Sequence, residues 1–520
     1  MNERRSRWLA PLALAVAPCA FLVTAGWLRH VRGPAWLAFN SDPEYVYLFN
    51  SLALLKGYAP FHIDHPGIPL KTLGSLAMAA MYAVSGTGRL ASDVVTRSEL
   101  YVAAIQWTAL AVTALLIGVA GWLVWRRVGL AAALLVQSSP WLSFTTVSLT
   151  SQLRPELMIA GLAVLWTALV IAHVERPAAS TPVLLGIVTG VIVTLHVAAA
   201  PLALGAFLLF DNWRRRRLLV IAAVASFLVA FSPALTKLPS FVKRIAMVSV
   251  HSGYYGDGAT TIVDVDRYLP RLRFLLASEP VCTALILLGA VTWIAWRLEG
   301  APHDGGLSRR GLGSLAAMQV AAVFALAKHA DPHYLVPTYC TLGANLWLVG
   351  RYLRQRVPGL LVPAAVGAML CVVLGQGALI HAEAVRLGGL RIEQEVAVRH
   401  ADELMRQGPC DPIYVARASN EASALQMGNL CALYKGRALF GEEIARRFPA
   451  VLFDEGGLRV GEPNRHVIDL DQLLRRERCV IYAGETVHVP RSSPLVEFEL
   501  LGQSGTQSVY RIRPARKRAP

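Results

Sequence analysis

Residues 8–28 read WLAPLALAVAPCAFLVTAGWL, an apolar stretch that follows the basic segment Arg4-Arg5-Ser6-Arg7. A helix that crosses a bilayer needs roughly 20 mostly apolar residues, and this stretch supplies them. A cleaved signal peptide would have a shorter apolar core and a small-residue cleavage site. We therefore interpret residues 8–28 as a first transmembrane helix whose N-terminal end lies in the cytoplasm.

The composition of the whole chain agrees with this interpretation. The 520 residues are 55% hydrophobic and 16% charged, whereas soluble domains average roughly 25% charged residues. The mean hydropathy of +0.46 is positive. These values exclude a soluble globular enzyme, a disordered protein and a fibrous protein.

Further apolar runs predict about eleven crossings in an all-α polytopic membrane protein. The additional predicted spans are Tyr101–Trp125, Leu130–Thr146, Leu157–Val174, Val183–Val197, Leu202–Phe210, Leu218–Leu235, Val281–Trp296, Leu312–Ala327, Tyr334–Val349 and Leu360–Ile380. Two short spans meet at His196–Pro201, and interrupted helices of this kind often line a cavity.

The charge distribution predicts the orientation. The net charge is +16, from 50 basic and 34 acidic residues. Most basic residues lie in short loops between apolar runs, which is the positive-inside pattern of membrane proteins and argues against nucleic-acid binding. An odd number of crossings then places the C-terminus outside the cytoplasm.

The two longer polar segments are expected at the outer face. Within residues 29–99, Tyr45–Leu55 and Ile68–Val84 are predicted to be helices lying at the outer surface. Residues 239–280 are predicted to be a polar outer loop. The transmembrane domain is therefore expected to comprise residues 1–380.

Residues 381–520 have ordinary polar content and predict a small extracytoplasmic α/β domain. Its predicted elements are helices at Ala382–Met405, Glu442–Phe448 and Leu470–Arg476 and strands at Ile413–Ala416, Val467–Leu470, Cys479–Ala483, Val496–Leu501 and Ser508–Ile512. The last two strands flank Gly502–Gln507, which is a hairpin signal. Outside the cytoplasm, two of Cys410, Cys431 and Cys479 are able to form a disulfide.

Two carboxylates lie just outside the first span, in Asn40-Ser41-Asp42-Pro43-Glu44-Tyr45. Asp42 and Glu44 are candidates for general-base catalysis or for binding a metal ion. The structural alternative makes Asp42 the N-cap of a helix, with Pro43 at the first helical position and Glu44 near the positive end of the dipole. The chemical interpretation and the structural interpretation are compatible with each other.

A second cluster is His62-Ile63-Asp64-His65-Pro66. Two imidazoles and a carboxylate within four residues suit a divalent ion, and the histidines also suit a phosphate. The alternative is a polar turn before a surface helix.

Two further clusters lie at the outer ends of spans. Arg154 and Glu156 open one span, where charged side chains also snorkel to the interface. Lys328, with His333 and Tyr334 shortly after it, lies between two late spans. Lys and His there suit a phosphate, and a solvated loop is the alternative.

The order of these clusters resembles the GT-C superfamily of membrane glycosyltransferases, in particular the protein O-mannosyltransferases and the aminoarabinose transferase of lipid A. The resemblance covers roughly residues 1–350. Asp42 matches the essential first-loop aspartate of the family. Glu156, after Arg154, matches its second acidic residue, and His333-Tyr334-Leu335 resembles its segment leading into a late span.

Asp64-His65-Pro66 matches the Glu/Asp-Lys-Pro turn of the family, with two departures nearby. His65 replaces the usual lysine and lacks its permanent charge, and Pro43 splits the acidic pair. Both departures bear on which sugar donor the protein would use.

The resemblance implies an inverting glycosyltransferase that moves a sugar from a polyprenyl-phosphate donor to an extracytoplasmic lipid, glycan or protein acceptor. The implied roles are catalytic for Asp42, Glu44 and Asp64, donor-phosphate binding for His65, Arg154, Lys328 and His333, and orienting for Glu156, His62 and Tyr334. A divalent metal ion is an open cofactor, with Asp42, Glu44 and His62 as its candidate ligands.

A polytopic lipid or solute transporter or flippase is the main alternative. Such carriers more often show two related halves and ionisable residues near mid-depth. This sequence shows no internal repeat, and its acidic clusters lie in outer loops. A non-enzymatic assembly subunit is a third interpretation. The Ala-, Arg- and Gly-rich usage is typical of a GC-rich bacterium and places the protein in a bacterial cytoplasmic membrane.

Overall fold

The computed structural model describes residues 3–37, 44–63, 67–252, 259–299, 306–356, 361–406, 411–415, 419–448, 452–454, 459–461, 467–469, 480–485, 496–504 and 507–514. The chain forms two compact units. The first comprises Met1–Leu28, Ile63–Leu70 and Thr108–Glu383, and the second comprises Arg29–His62, Lys71–Trp107 and Ala384–Pro520. The C-terminal part from Ala384 therefore belongs to one unit with segments near the N-terminus, and the predicted division into domains at residue 380 stays a prediction.

Helices dominate the described residues. In chain order they are α1 Glu3–Arg32, α2 Tyr45–Leu55, α3 Ile68–Ser85, α4 Leu90–Thr96, α5 Ser98–Arg127, α6 Leu130–Gln137, α7 Phe144–Ser148, α8 Pro155–Glu175, α9 Thr181–Leu195, α10 Pro201–Leu209, α11 Trp213–Phe231, α12 Leu238–Val250, α13 Val265–Ser278, α14 Pro280–Leu298, α15 Leu307–Leu326, α16 Val336–Tyr339, α17 Leu342–Arg354, α18 Leu361–Arg406, α19 Glu421–Leu430 and α20 Gly441–Arg447.

Seven helical stretches among the described residues are long and apolar enough to cross a membrane. They are Ala10–Arg32, Ile68–Ser85, Ser98–Arg127, Pro155–Glu175, Trp213–Val250, Pro280–Leu298 and Leu307–His329. Shorter apolar helices accompany them at Tyr45–Leu55, Thr181–Leu195 and Val197–Leu209. The predicted helical, polytopic membrane class is confirmed. By length and hydropathy α3 qualifies as a span, although its sequence context predicts a surface helix.

Helix α8 is the central element of the first unit. It is apolar on all sides and almost wholly buried, as expected for a helix enclosed by others. The Trp166 indole donates to the Thr189 hydroxyl of α9 at 3.1 Å. Gly161 allows close packing, because a Cβ there would lie 3.0 Å from backbone atoms of Thr113 on α5.

One predicted span is interrupted at a proline, and two short predicted spans form separate helices. The predicted span Leu130–Thr146 consists of α6, a 3-10 turn over Ser139–Leu142 and α7. Pro140 lies inside that turn, and it cannot continue an α-helical hydrogen-bond ladder. Helices α9 and α10 are short, as predicted, and a 3-10 turn over Val197–Ala199 separates them.

The segment 239–280 differs from the predicted polar loop. Helices α12 and α13 occupy most of it. Both are amphipathic: Phe241 of α12 and Leu275 of α13 are buried among basic and exposed neighbours. Polar composition alone suggested a loop, whereas apolar residues at helical spacing form a packed face.

In the second unit, α2 packs against α19. Helix α2 is buried over most of its length. The Phe49 ring lies 5.2 Å from the Phe440 ring, and Gly428 of α19 approaches the Tyr45 backbone. Helix α18 is continuous through the predicted span Leu360–Ile380 and the predicted helix Ala382–Met405.

The second unit also contains a seven-stranded mixed sheet with the order β6-β5-β4-β1-β7-β9-β8. Its strands are β1 Asp411–Val415, β4 Leu452–Asp454, β5 Arg459–Gly461, β6 Val467–Asp469, β7 Val480–Glu485, β8 Val496–Ser504 and β9 Gln507–Pro514, and a separate pair consists of β2 Leu433–Tyr434 and β3 Arg437–Ala438. Strand β1 runs parallel to β4 and β7, and β8 and β9 form the predicted antiparallel hairpin. The predicted helix Leu470–Arg476 lies outside the described residues.

Candidate functional site

The first unit contains a cavity of about 430 Å³, here called the basic pocket. Its lining includes the polar side chains of His196, Arg244, Ser249, Lys328, His329 and Tyr334. The rest of the wall is mainly apolar and comes from residues such as Pro201, Ile245, Val248 and Leu326. Four of the polar side chains are basic or imidazole groups, so the cavity combines an apolar body with a cationic region.

His196 enters the basic pocket because α9 ends immediately before it. Its backbone is extended, and its side chain caps the 3-10 turn over Val197–Ala199. The Ala198 N–H donates to the His196 Nδ1 at 3.0 Å, and the imidazole ring lies 5.0 Å from the Tyr334 ring. Because Nδ1 accepts, the neutral ring carries its proton on Nε2.

Lys328 and His329 lie on the 3-10 turn Ala327–His329 that follows α15. The Lys328 ammonium donates to the Ser249 carbonyl at 2.6 Å and to the Thr261 carbonyl at 3.5 Å. The His329 Nε2 lies 3.5 Å from the Val248 carbonyl. Carbonyl oxygens at the end of α12 therefore hold these basic groups at the pocket wall.

Asp331 organises the next turn, Pro332–Leu335. Its carboxylate accepts from the His333 backbone N–H at 3.2 Å and lies 2.5 Å from the His333 Nδ1. Burial alone would raise the pKa of Asp331, but the hydrogen bonds and charge of His333, with the charge of Arg154, hold it below its usual range. The His333 ring lies 4.1 Å from the ring of Tyr334, and Tyr334 lines the basic pocket.

Arg154 and Glu156 lie at the start of α8. Arg154 is the N-cap, Pro155 occupies the first helical position, and Glu156 is buried. The orientation of Arg154 by Glu156 stays a prediction.

Gly67 contacts the chain next to the basic pocket. Its N–H donates to the Leu195 carbonyl at 3.0 Å, one residue before His196. Gly67 has a φ of +53°, which favours glycine. The predicted site residues Asp64 and His65 lie outside the described residues, as does Asp42.

Glu44 lies in an ionic cluster of the second unit and is fully buried. Arg32 donates to its carboxylate, and the Arg29 guanidinium lies 3.7 Å away. Arg29 also pairs with Glu99 at 3.3 Å, and the Tyr45 hydroxyl donates to Glu99 at 2.8 Å. The helix begins at Tyr45, and no side-chain cap is formed by Glu44. Asp42 and Pro43, on which the helix-start alternative depends, lie outside the described residues.

His62 lies in the second unit beside a buried lysine that the sequence analysis did not single out. The Lys71 ammonium donates to the His62 carbonyl at 2.5 Å and lies 5.8 Å from the centre of the Tyr47 ring. Asn50 accepts from the backbone N–H groups of Phe61 and His62. The sequence signal for Lys71 was a single lysine within an apolar helix. A charged side chain inside a membrane costs free energy, so such a residue often has a function.

The sequence patterns also did not single out four further residues of these clusters, Arg32, Glu99, His196 and Arg244. The interruption of the chain at His196–Pro201 pointed to a cavity, but it did not single out the imidazole. Among the described parts of the chain, no group of three or more His, Cys, Asp or Glu side chains is arranged to hold a metal ion. Cys431 is a free thiol, while Cys410 and Cys479 lie outside the described residues.

No protein-family model and no curated protein matches the chain. Among solved structures, ArnT from Cupriavidus metallidurans bound to undecaprenyl phosphate is similar with a TM-score of 0.53 and 15% identity, over 97% of this chain and 98% of ArnT. ArnT in the apo state gives a TM-score of 0.50 and 14% identity, over 98% of both chains.

An Archaeoglobus fulgidus oligosaccharyltransferase in complex with zinc and sulfate is less similar. It has a TM-score of 0.42 and 16% identity, over 76% of this chain and 60% of its own. At these identities the similarity to ArnT concerns the fold alone. The chain therefore shares the fold of ArnT.

Proposed function

We propose that the protein is a membrane glycosyltransferase that transfers a sugar from a polyprenyl-phosphate donor to an extracytoplasmic acceptor. The observation that carries the proposal is the basic pocket, in which Arg244, Lys328 and two histidines adjoin an apolar wall. A prenyl phosphate has the matching halves, an anionic head and a hydrocarbon tail. The fold supports the same class, since ArnT was crystallised with undecaprenyl phosphate.

The reaction is a single displacement at the anomeric carbon. The acceptor oxygen forms a bond to that carbon while the bond from carbon to the phosphate oxygen breaks, so the configuration inverts. The acceptor proton passes to a base, and the leaving phosphate keeps the bonding electron pair. Positioned cations stabilise the charge that develops on the phosphate.

The proposed roles follow this scheme. Asp42 is the base, and Asp64 orients the acceptor. The proposed phosphate ligands are His65, Arg154, Lys328 and His333, to which the structure adds Arg244. Glu156 orients Arg154, and Tyr334 is a further orienting residue.

Glu44 is better suited to positioning than to proton transfer. Its carboxylate is buried and paired with Arg32 and Arg29, so it is held as an anion by permanent cations. We propose that this pairing anchors the chain two residues after Asp42. His62, bound through its backbone to Asn50 and Lys71, anchors the second loop in the same way.

A divalent ion remains an open part of the proposal. Asp42, Glu44 and His62 would be its ligands, but the engagement of Glu44 with two arginines makes Glu44 a poor one. The proposed location is a bacterial cytoplasmic membrane, with the N-terminus inside and the C-terminal sheet outside.

The test uses the full-length protein in proteoliposomes with undecaprenyl-phosphate carrying a radiolabelled sugar. A set of outer-face acceptors, including lipid A, peptides and glycans, is presented to the protein. We expect the label to move to one acceptor class, with release of one undecaprenyl phosphate for each sugar transferred.

The competing transporter predicts a different outcome. Unmodified labelled donor would then cross the bilayer and become accessible on the opposite side without any release of undecaprenyl phosphate. Translocation without transfer to any acceptor would overturn the enzymatic proposal.

A further inference from the structure

The basic pocket contains a histidine whose protonation form is set by the backbone. His196 is 5% exposed and follows the last residue of α9. Its Nδ1 accepts the Ala198 N–H at 3.0 Å and caps the turn Val197–Ala199. A backbone N–H can only donate, so a proton on this Nδ1 would break the cap.

This constraint decides what the imidazole can offer a ligand. A histidine that keeps Nδ1 as an acceptor stays neutral and has one N–H, at Nε2. The ring lines the basic pocket together with Arg244, Lys328, His329 and Tyr334.

We propose that His196 binds the donor as a neutral residue, by donating a hydrogen bond from Nε2 to a phosphate oxygen of the prenyl phosphate. This inference rests on the proposed function and adds a specificity residue to it. Arg244 and Lys328 then supply charge, whereas His196 supplies one directed donor. The Tyr334 ring, 5.0 Å from the imidazole, limits its rotation.

The chemistry of asparagine provides a matched variant. In His196→Asn the side-chain oxygen retains an acceptor at the N-cap position, where asparagine is favoured, but the Nε2–H donor is lost. His196→Ala removes both the cap and the donor. Comparing the two variants separates a structural role from a ligand-binding role.

The experiment measures binding of undecaprenyl phosphate to the full-length protein in nanodiscs between pH 5.5 and 8. We expect His196→Asn to unfold at the wild-type temperature and to weaken binding by about tenfold or more, as for a hydrogen bond to a charged group. The ratio of the two dissociation constants should stay constant with pH, because His196 does not gain a charge.

Titratable groups around His196 are the control for that pH series. Arg244, Lys328, His329 and Tyr334 line the same cavity, and His333 lies against Tyr334. They are present in the wild type and in His196→Asn alike, so their titration cancels in the ratio.

Two results would overturn the inference while the proposed function stands. Wild-type affinity in His196→Asn would show that Nε2 makes no bond to the phosphate. A ratio that grows as the pH falls below about 6.5, the ordinary histidine value, would show that His196 binds as a cation. A wild-type protein that does not bind undecaprenyl phosphate at all would instead overturn the proposed donor, and this inference with it.

Discussion

The carboxylate of Glu44 and the guanidinium of Arg32 form a buried ion pair, with 0% and 1% of their side chains exposed. Glu44 directly precedes α2 and Arg32 is the last residue of α1, and Arg29 adds a second cation at 3.7 Å. Removing one partner of a buried pair leaves an uncompensated charge in a poorly solvated site. The pair therefore fixes where the chain enters α2, two residues after Asp42.

Glu44→Gln should accordingly destabilise the protein by roughly 3–5 kcal/mol. Thermal unfolding of the purified protein provides the measurement. Arg32→Gln should have a similar cost, and the double variant should lose less than the sum, because the two charges disappear together. Additive losses would contradict a direct interaction.

Asp42→Asn tests the proposed base. The rate of sugar transfer should fall by about 10²- to 10⁴-fold, the usual contribution of a positioned general base, while the donor KM changes little. The transfer assay in proteoliposomes gives both constants. Asp266→Asn, which alters an exposed residue on α13, is the control and should leave the rate unchanged. A fully active Asp42→Asn would remove the base from the mechanism.

Arg244→Gln and Lys328→Gln test the basic pocket. Each should raise the donor KM by about tenfold or more, since hydrogen bonds to charged groups contribute roughly 1.5–3 kcal/mol. Lys243→Gln is a matched control, because Lys243 precedes Arg244 on α12 but is exposed and does not line the pocket. Equal effects of the Lys243 and Arg244 variants would point to general surface charge.

Asp93 gives a pH-dependent prediction. Its buried carboxylate accepts from the Thr87 hydroxyl and the Arg97 Nε, both at 2.9 Å, and from the Tyr101 hydroxyl. Burial alone would raise the pKa of Asp93, but these hydrogen bonds and the Arg97 charge lower it. The stabilisation is therefore present above about pH 4, the unfolded value, and is lost as the pH falls through the lower folded value.

Asp93→Asn should lower the unfolding temperature at pH 7, and the difference from the wild type should shrink below about pH 4. Thermal scans across pH 3–7 measure this difference. Glu442→Gln, at a residue with 77% of its side chain exposed, should show no such trend. A difference that persists unchanged at pH 3 would be inconsistent with the lowered pKa.

Gly428 tests the packing of α19 on α2. A Cβ at this position would lie 2.5 Å from the Phe49 ring and 2.6 Å from the Tyr45 carbonyl oxygen. Gly428→Ala should therefore cost about 1–3 kcal/mol, as overpacked sites do. Gly389→Ala is the control, since nothing lies within 4 Å of its Cβ on α18, and it should be stabilising by about 0.5–1 kcal/mol. Unfolding temperatures of both variants decide the comparison.

Local patterns predicted much of the fold. The apolar run Leu157–Val174 became α8, and the turn at Gly502–Gln507 became the β8–β9 hairpin. The same reasoning failed for residues 239–280, where polar composition concealed two amphipathic helices. Composition averages over a segment, whereas helix formation depends on the spacing of the few apolar residues within it.

The candidate site was predicted less completely than the fold. Lys328 and Tyr334 were singled out in the sequence and both line the basic pocket, but Arg244 and His196 were not. Arg244 appeared to be one of many basic residues in a loop. Its location at the pocket follows from the way α12 packs beside the turn after α15, which no local pattern records.

The sequence by itself determined that this protein is a helical membrane protein, because the length of each apolar run is compared directly with the thickness of a bilayer. Tertiary structure alone decided which charges meet. Glu44 looks like a catalytic acid in the sequence but pairs with Arg32, and His196 looks like a helix break but lines the basic pocket. Charge pairing depends on distances of a few ångströms between side chains, and only the packing of helices sets those distances.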